Sequence, residues 1–339
     1  MNTLIVGVGA LGGLVAARLR ERRRAVPLSA GRGGGAPRGG RLSVTGVGGP
    51  ARVDAPAVAA LEAYAAGDAF ELIVLATKAR DALEVGPRLP RLLAPGGALL
   101  PIQNGGVSQL LADRLGEVVL GGLSNLGATL LAPGEVEQRN AGHLVVGELT
   151  GGVSPRAERV GAWLGRAVEV RVTPNLAGAV WSKLLLNCSV TTLGAVAGRT
   201  MREYLAAPGG RALFDRAYDE ALAVALASGA RPERMLVEPV PPAPGPAREA
   251  WLDQVLAAYG DLKPSMLQDL ERGRATEVDV VNGHVVDVGR RLGAPTPVNA
   301  AIVEAVRALE RGDLAPGPAL LPRVLARAGA CDARESSTF

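Results

Sequence analysis

The chain has 339 residues, 48% of them apolar and 21% charged; that excludes a disordered protein and gives room for two ordinary cores. A formal net charge of +4 and only 3% aromatic residues exclude a nucleic-acid footprint and base stacking as a working principle. Two distant cysteines, Cys188 and Cys331, make neither a disulfide framework nor a zinc set, and no metal is expected.

Taken in order, Leu4–Val8, Ala25–Leu28, Leu72–Ala76, Ala98–Ile102 and Val118–Leu120 read as strands, and Leu11–Arg22, Ala57–Ala66 and Val107–Leu115 as helices. Strands that alternate with helices predict a parallel sheet covered on both faces. Leu42–Thr45 and Ala51–Val53 suit a small antiparallel excursion. Leu126–Leu131, Glu135–Arg139 and His143–Gly147 read as further strands, followed by a helix over Pro155–Ala167 and a strand over Val168–Val172.

From Thr173-Pro174, an N-cap followed by a first helical residue, the reading turns helical. The spans are about Asn175–Ala197, Gly209–Ser228, Ala247–Tyr259, Met266–Glu271, Glu277–Leu292 and Val298–Arg311. Val278, Val281, Val285, Val288 and Leu292 recur at helical steps. Six prolines between Arg231 and Ala250 predict a surface loop. Ala315–Phe339 reads as one short helix and a loose tail. The division is therefore 1–173, 174–315 and 316–339. No basic run precedes Leu4–Val8, so no signal peptide is read there. No apolar run reaches the roughly 18 residues of a membrane helix. Cytoplasmic residence is expected, without membrane or nucleic-acid partners; a homodimer is the one assembly considered.

Gly7, Gly9 and Gly12 form G-x-G-x-x-G directly after an apolar strand and at the opening of a helix. The first glycine permits a tight turn, the second lets the backbone reach a pyrophosphate, and the third lets helix and strand pack closely. The helix N-terminus offers N–H groups to phosphate. This predicts an α/β Rossmann-type N-terminal domain ahead of an all-helical C-terminal domain. Between Arg22 and Val53 there is no Asp or Glu to hold a ribose 2′-hydroxyl, but seven arginines. Arg32 stands at the expected place for a 2′-phosphate, which points to NADPH/NADP+. Lys78 and Asn104 follow two of the predicted strands, at the carboxyl ends where such sheets bind ligands.

In the second half, Lys183, Asn187 and Thr191 interrupt a leucine-rich helix at i, i+4 and i+8, a spacing that puts them on one face. A stripe of three polar groups suits a cleft wall. A second cluster runs Ser265-Met266-Leu267-Gln268-Asp269, then Thr276-Glu277-Val278-Asp279 and Asn282-Gly283. Thr276 and Asp279 suit a capping-box variant, and Glu277 could simply complement a helix dipole. His284 reads as a satisfied or exposed histidine rather than a catalyst.

The glycine motif, Asn104-Gly105, Trp181-Ser182-Lys183-Leu184 with Asn187-Cys188, and the two clusters just quoted resemble the 2-dehydropantoate 2-reductase (ketopantoate reductase) family. They occur in the family's order over most of the chain. The resemblance implies reduction of a 2-oxo acid by NADPH, with Lys183 as general acid and Asn187 on the substrate. It also implies Ser265 and Glu277 at the substrate and nicotinamide-ribose end, and Asn104 and Lys78 near the cofactor. Where family members often carry a second asparagine, this chain has Thr191, which reaches less far toward the substrate's hydroxyl. Two rivals follow: a paralogous reductase of another 2-oxo acid, favoured by Thr191, and a non-catalytic NADP(H)-binding sensor.

Overall fold

The computed structural model describes residues 1–22, 26–29, 40–55 and 58–335. The chain divides into two compact units, Met1–Leu176 and Ala177–Phe339.

The strands of the first unit are β1 (Thr3–Val6), β2 (Leu28–Ser29), β3 (Arg41–Gly46), β4 (Ala51–Asp54), β5 (Val58–Ala59), β6 (Phe70–Leu75), β7 (Leu93–Pro101), β8 (Gly121–Ser124), β9 (Ala128–Ala132), β10 (Glu135–Gln138), β11 (Leu144–Gly147) and β12 (Val170–Val172). Its helices are α1 (Ala10–Glu21), α2 (Ala79–Val85), α3 (Val107–Leu115) and α4 (Pro155–Leu164). The main sheet is parallel, in the order β5-β2-β1-β6-β7. Every residue of β1, and Leu72 to Leu75 of β6, is buried, as expected of strands covered on both faces. The chain leaves β1 toward β2 on one side and pairs with β6 on the other. The loop after β1 therefore sits at the topological switch point of a Rossmann-type sheet. Two smaller sheets, β4-β3-β10-β9 and β12-β11-β8, complete the unit; β3 and β4 form the antiparallel excursion that the sequence suggested. Ser154 caps α4 by accepting the Ala157 N–H at 3.1 Å, with Pro155 at the first helical position.

Several local expectations fail. Of the helix expected over 57–66, the described residues 58–66 form none. Val58 and Ala59 pair in parallel with Leu28 and Ser29 at the sheet edge, and short 3-10 turns follow at Leu61–Ala63 and Ala66–Asp68. Edge pairing there overrides alanine's helix propensity. Helix α2 was not foreseen. Instead of a strand at Val118–Leu120 there is a 3-10 turn, Gly116–Val118, and a single bridge from Val119 to Leu99. Thr173 is not a helix cap: its hydroxyl accepts the Asn175 N–H at 3.1 Å, before a helix that begins at Leu176.

Among its described residues the second unit is helical, with no strand. It contains α5 (Leu176–Leu186), a π-turn (Asn187–Thr191), α6 (Thr192–Ala197), α7 (Met201–Ala206), α8 (Gly210–Ala227), α9 (Pro246–Tyr259), α10 (Ser265–Glu271), α11 (Asn282–Leu292), α12 (Pro297–Arg311) and α13 (Leu320–Glu335). Residues 176–197 run as one continuous helix, long and apolar enough to cross a membrane by length and composition, and mostly buried. The helix α7, absent from the sequence reading, carries a capping-box signature: the Glu203 carboxylate accepts the Thr200 N–H at 2.9 Å. The proline-rich stretch before α9 is a loop, pinned where Tyr218 donates to the Pro239 carbonyl and Trp251 to the Glu238 carbonyl, each at 2.8 Å.

The expected helix 277–292 is broken at Val281. A 3-10 turn, Val278–Val280, precedes α11. Val278, Val281, Val285 and Val288 are buried nonetheless, while Leu292 is exposed. The proposed capping box does not form. Thr276 accepts the Val278 N–H, and Asp279 pairs with Arg307 at 2.7 Å. At the C-terminus, α13 is longer than the short helix expected, and its Leu321, Val324 and Ala328 join the core.

Candidate active site

In the first unit, the glycine loop has the geometry that the three-glycine spacing demands. Gly7 has φ +99°, a conformation that side chains disfavour. A β-carbon there would also lie 2.6 Å from the Thr77 nitrogen. At Gly12 a β-carbon would fall 1.9 Å from the Gly7 carbonyl oxygen, so only glycine lets α1 approach β1 this closely. Gly9, the N-cap of α1, is different: a β-carbon there would meet nothing within 4 Å. Space is open on the side where the backbone would face a phosphate.

Around this loop, the ends of three parallel strands present buried polar atoms without partners among the described residues: Ser29 Oγ at the end of β2, Thr77 Oγ1 after β6 and Gln103 Oε1 after β7. The Gln103 amide donates at 2.9 Å to both the Leu75 and Thr77 carbonyls, which ties two strand ends together. Orphaned polar atoms beside an open glycine loop fit a polar ligand such as a dinucleotide. Lys78 is exposed immediately ahead of α2, and Asn104 is half-buried, followed by Gly105 at φ +72° in the turn into α3. Arg32 lies outside the described residues.

In the second unit, the helix 176–197 is buried along most of its length. Lys183, Asn187 and Thr191 are half-buried, and the residues between them, Leu184 to Leu186 and Cys188 to Val190, are buried. The three polar residues therefore share an open line on a core helix. Burial of the Lys183 ammonium lowers its pKa from the ordinary 10.5 to about 8, opposed by the attraction of the Glu277 carboxylate. The loop ahead of the Val278–Val280 turn thus brings Glu277 to bear on Lys183. Cys188, next to Asn187, is fully buried, with its thiol pushed up by desolvation, and is inert packing.

Ser265 opens α10 and is exposed. Its helix packs against α6 and the π-turn. Gly194 makes that approach feasible, since a β-carbon there would lie 2.3 Å from the Pro264 side chain. His284 is buried, its ring centroid 5.7 Å from that of Trp181. The sequence reading did not single out Gln103, although it stands directly before Asn104-Gly105 at a strand end. It also assumed a uniform helix, so the π-turn at Asn187–Thr191 was missed. Such turns recur at functional sites.

Comparison with known proteins accords with this geometry. The model of the family described as ketopantoate reductase PanE/ApbA matches residues 3–151, and that of its C-terminal region matches residues 175–310. The chain is 30% identical over 316 residues to a 2-dehydropantoate 2-reductase of Halobacterium salinarum, covering 92% of this chain and 99% of that one. A 2-dehydropantoate 2-reductase of Geobacter metallireducens has a similar structure: the TM-score is 0.75 at 26% identity, over 93% of this chain and 100% of that one. A D-mandelate dehydrogenase solved with NADH and anilino(oxo)acetate shares the fold, with a TM-score of 0.75 at 21% identity over 92% of this chain and 99% of that one.

Proposed function

The chain belongs to the ketopantoate reductase family, and on that premise we propose that it reduces 2-dehydropantoate to pantoate with NADPH. The observation that carries this reading is Lys183: a lysine of depressed pKa, set against Glu277, on the open line of a core helix. A general acid works best when its pKa lies near the working pH.

The Gly7–Gly12 loop and the N-terminus of α1 would hold the pyrophosphate, Arg32 the 2′-phosphate, and Lys78 and Asn104 would lie near the cofactor. When bound, the reduced nicotinamide supplies a hydride. Lys183, as ammonium, polarises the keto oxygen and gives up its proton to it. Glu277 keeps that charge on Lys183 until it is needed. Ser265 suits the substrate carboxylate; Asn187 and Thr191 suit its hydroxyl end. Action in the cytoplasm as a homodimer belongs to the same reading, and light scattering tests the assembly.

A second reading, reduction of a different 2-oxo acid, is favoured by Thr191, whose hydroxyl is shorter than the amide that family members often carry. NADPH oxidation decides between them. Wild-type protein should favour ketopantoate over a hydroxyl-free 2-oxo acid of similar shape by at least about tenfold in kcat/KM, since a site built for that hydroxyl is left unpaired without it. Thr191→Asn should preserve or improve ketopantoate turnover. Equal or better reduction of the hydroxyl-free acid hands the assignment to the second reading; no NADPH oxidation with either acid leaves a binding protein.

A further inference from the structure

A π-turn inside a buried helix creates a local debt of hydrogen bonds. The Thr192 N–H reaches back five residues to the Asn187 carbonyl instead of four, so the carbonyls of the turn are out of register with the α-helical ladder. Buried carbonyls need donors from somewhere. Two side chains supply them, and a third, Thr192, lies against the turn. Asn282 Nδ2 donates to the Cys188 carbonyl at 3.1 Å, the Tyr204 hydroxyl donates to the Ser189 carbonyl at 2.8 Å, and Thr192 Oγ1 lies 3.1 Å from the Asn187 carbonyl.

These donors form one network. Thr192 Oγ1 donates its single proton to Asn282 Oδ1 at 2.8 Å. The second N–H of Asn282 goes to Asn299 Oδ1 at 3.0 Å. Asn299 in turn donates to the Ala217 carbonyl at 3.2 Å and to the Glu220 carboxylate at 2.9 Å. That carboxylate caps α12 by accepting the Val298 and Asn299 N–H groups, both at 2.9 Å. Thr192, Asn282 and Asn299 are each 0% exposed, so none of them can touch a substrate. A buried hydrogen-bonded network specifies one arrangement sharply. Here it converges on the backbone of the turn whose side chains, Asn187 and Thr191, are the half-buried ones. Asn282 also begins α11 five residues after Glu277, so the same contact fixes the segment that carries Glu277 against the Lys183 helix.

We infer that Thr192 and Asn282 are positioning residues that clip the π-turn and thereby set how Asn187 and Thr191 meet the oxo acid. The inference rests on the reductase reading above. Thr192→Val keeps the shape and removes the hydroxyl. In steady-state assays with NADPH and ketopantoate it should raise the KM for the oxo acid about tenfold, the effect of leaving buried acceptors unpaired. The NADPH affinity, read from nucleotide fluorescence, should be unchanged, and Thr192→Ser should restore the KM. A merely structural role would lower Tm and yield but leave the KM of folded protein alone; a KM within about twofold of wild type in folded Thr192→Val overturns the inference. Asn282→Asp, which replaces the donor to Cys188 by an acceptor at constant volume, gives the same test if the valine variant does not fold. Amide hydrogen exchange separates this inference from the reading beneath it. Wild-type protein that reduces no 2-oxo acid sinks the reductase reading. In that event, faster exchange confined to residues 188–193 of Thr192→Val supports the clip, and unchanged exchange there overturns it.

Discussion

Raising the pH should move turnover and stability in opposite directions through one side chain, Lys183. Burial lowers its ammonium from 10.5 to about 8. At about 1.4 kcal/mol per tenfold change in a proton equilibrium, that is a cost of about 3 kcal/mol for holding the charge in the folded state; it is an upper figure, because the half-buried side chain keeps some water. Below pH about 8 the lysine is charged in both folded and unfolded chains, and the full cost is present. Between about 8 and 10.5 the unfolded chain keeps its proton while the folded one releases it, so the cost is relieved and stability rises with pH. Turnover needs the ammonium and should fall through the same window.

The assay is kcat from pH about 6 to 10, beside urea unfolding at the same pH values, for wild type, Lys183→Met and Glu277→Gln. Lys183→Met should lose roughly 100-fold or more in kcat. It should also gain stability at neutral pH, by up to about 3 kcal/mol, and lose the stability rise between about 8 and 10.5. Glu277→Gln removes the carboxylate that holds the pKa up, so its alkaline limb should move below 8. Near-normal turnover of folded Lys183→Met, or a wild-type alkaline limb at about 10 or higher, refutes the reasoning.

Three further outcomes are expected. Arg32→Ala should weaken NADPH by about 1–3 kcal/mol and leave NADH nearly untouched, the loss of one charged hydrogen bond; equal losses in a fluorescence titration remove the 2′-phosphate role. Gly9→Ala, whose methyl meets open space, should fold with normal Tm yet bind dinucleotide poorly. Gly12→Ala, which drives a methyl into the Gly7 carbonyl, should lower Tm or prevent folding; the reverse order would contradict the loop geometry. Ser265→Ala at an exposed helix start should leave Tm unchanged and raise the KM for the oxo acid, and an unchanged KM takes Ser265 out of substrate binding.

The features legible in the sequence were those set by local geometry. The glycines declared their spacing, and the structure explains each of them: Gly7 by its positive φ, Gly12 by close packing, Gly9 by open space. Helix α3 matched its expected span because its ends are marked by Asn104-Gly105 and Gly116. Within the stretch read as a helix over 57–66, Val58 and Ala59 were misread because their conformation is imposed by Leu28 and Ser29, about thirty residues away in sequence. The line of Lys183, Asn187 and Thr191 was legible from spacing, whereas the π-turn was not. A count of 3.6 residues per turn cannot register a bulge whose carbonyls are answered by Asn282 and Tyr204. The pairing of Asp279 with Arg307 in place of a cap was hidden in the same way.

The sequence separations in the π-turn network carry a consequence for the order of folding. Thr192 finds Asn282 across 90 residues, Asn282 finds the Cys188 carbonyl across 94, and Asn299 finds the Ala217 carbonyl across 82. Contacts of such range bear a loop-closure cost and form late. A chain leaving the ribosome exposes residues 176–197 long before Asn299 exists, and with no distant donors to answer its carbonyls that segment has only the ordinary α-helical register available. The shift into the π register waits for α11 and α12 to dock. Secondary structure should therefore be nearly complete before any capacity to bind the oxo acid appears. In refolding experiments, recovery of helical circular dichroism should precede recovery of turnover, with the interval set by the docking of α11 and α12.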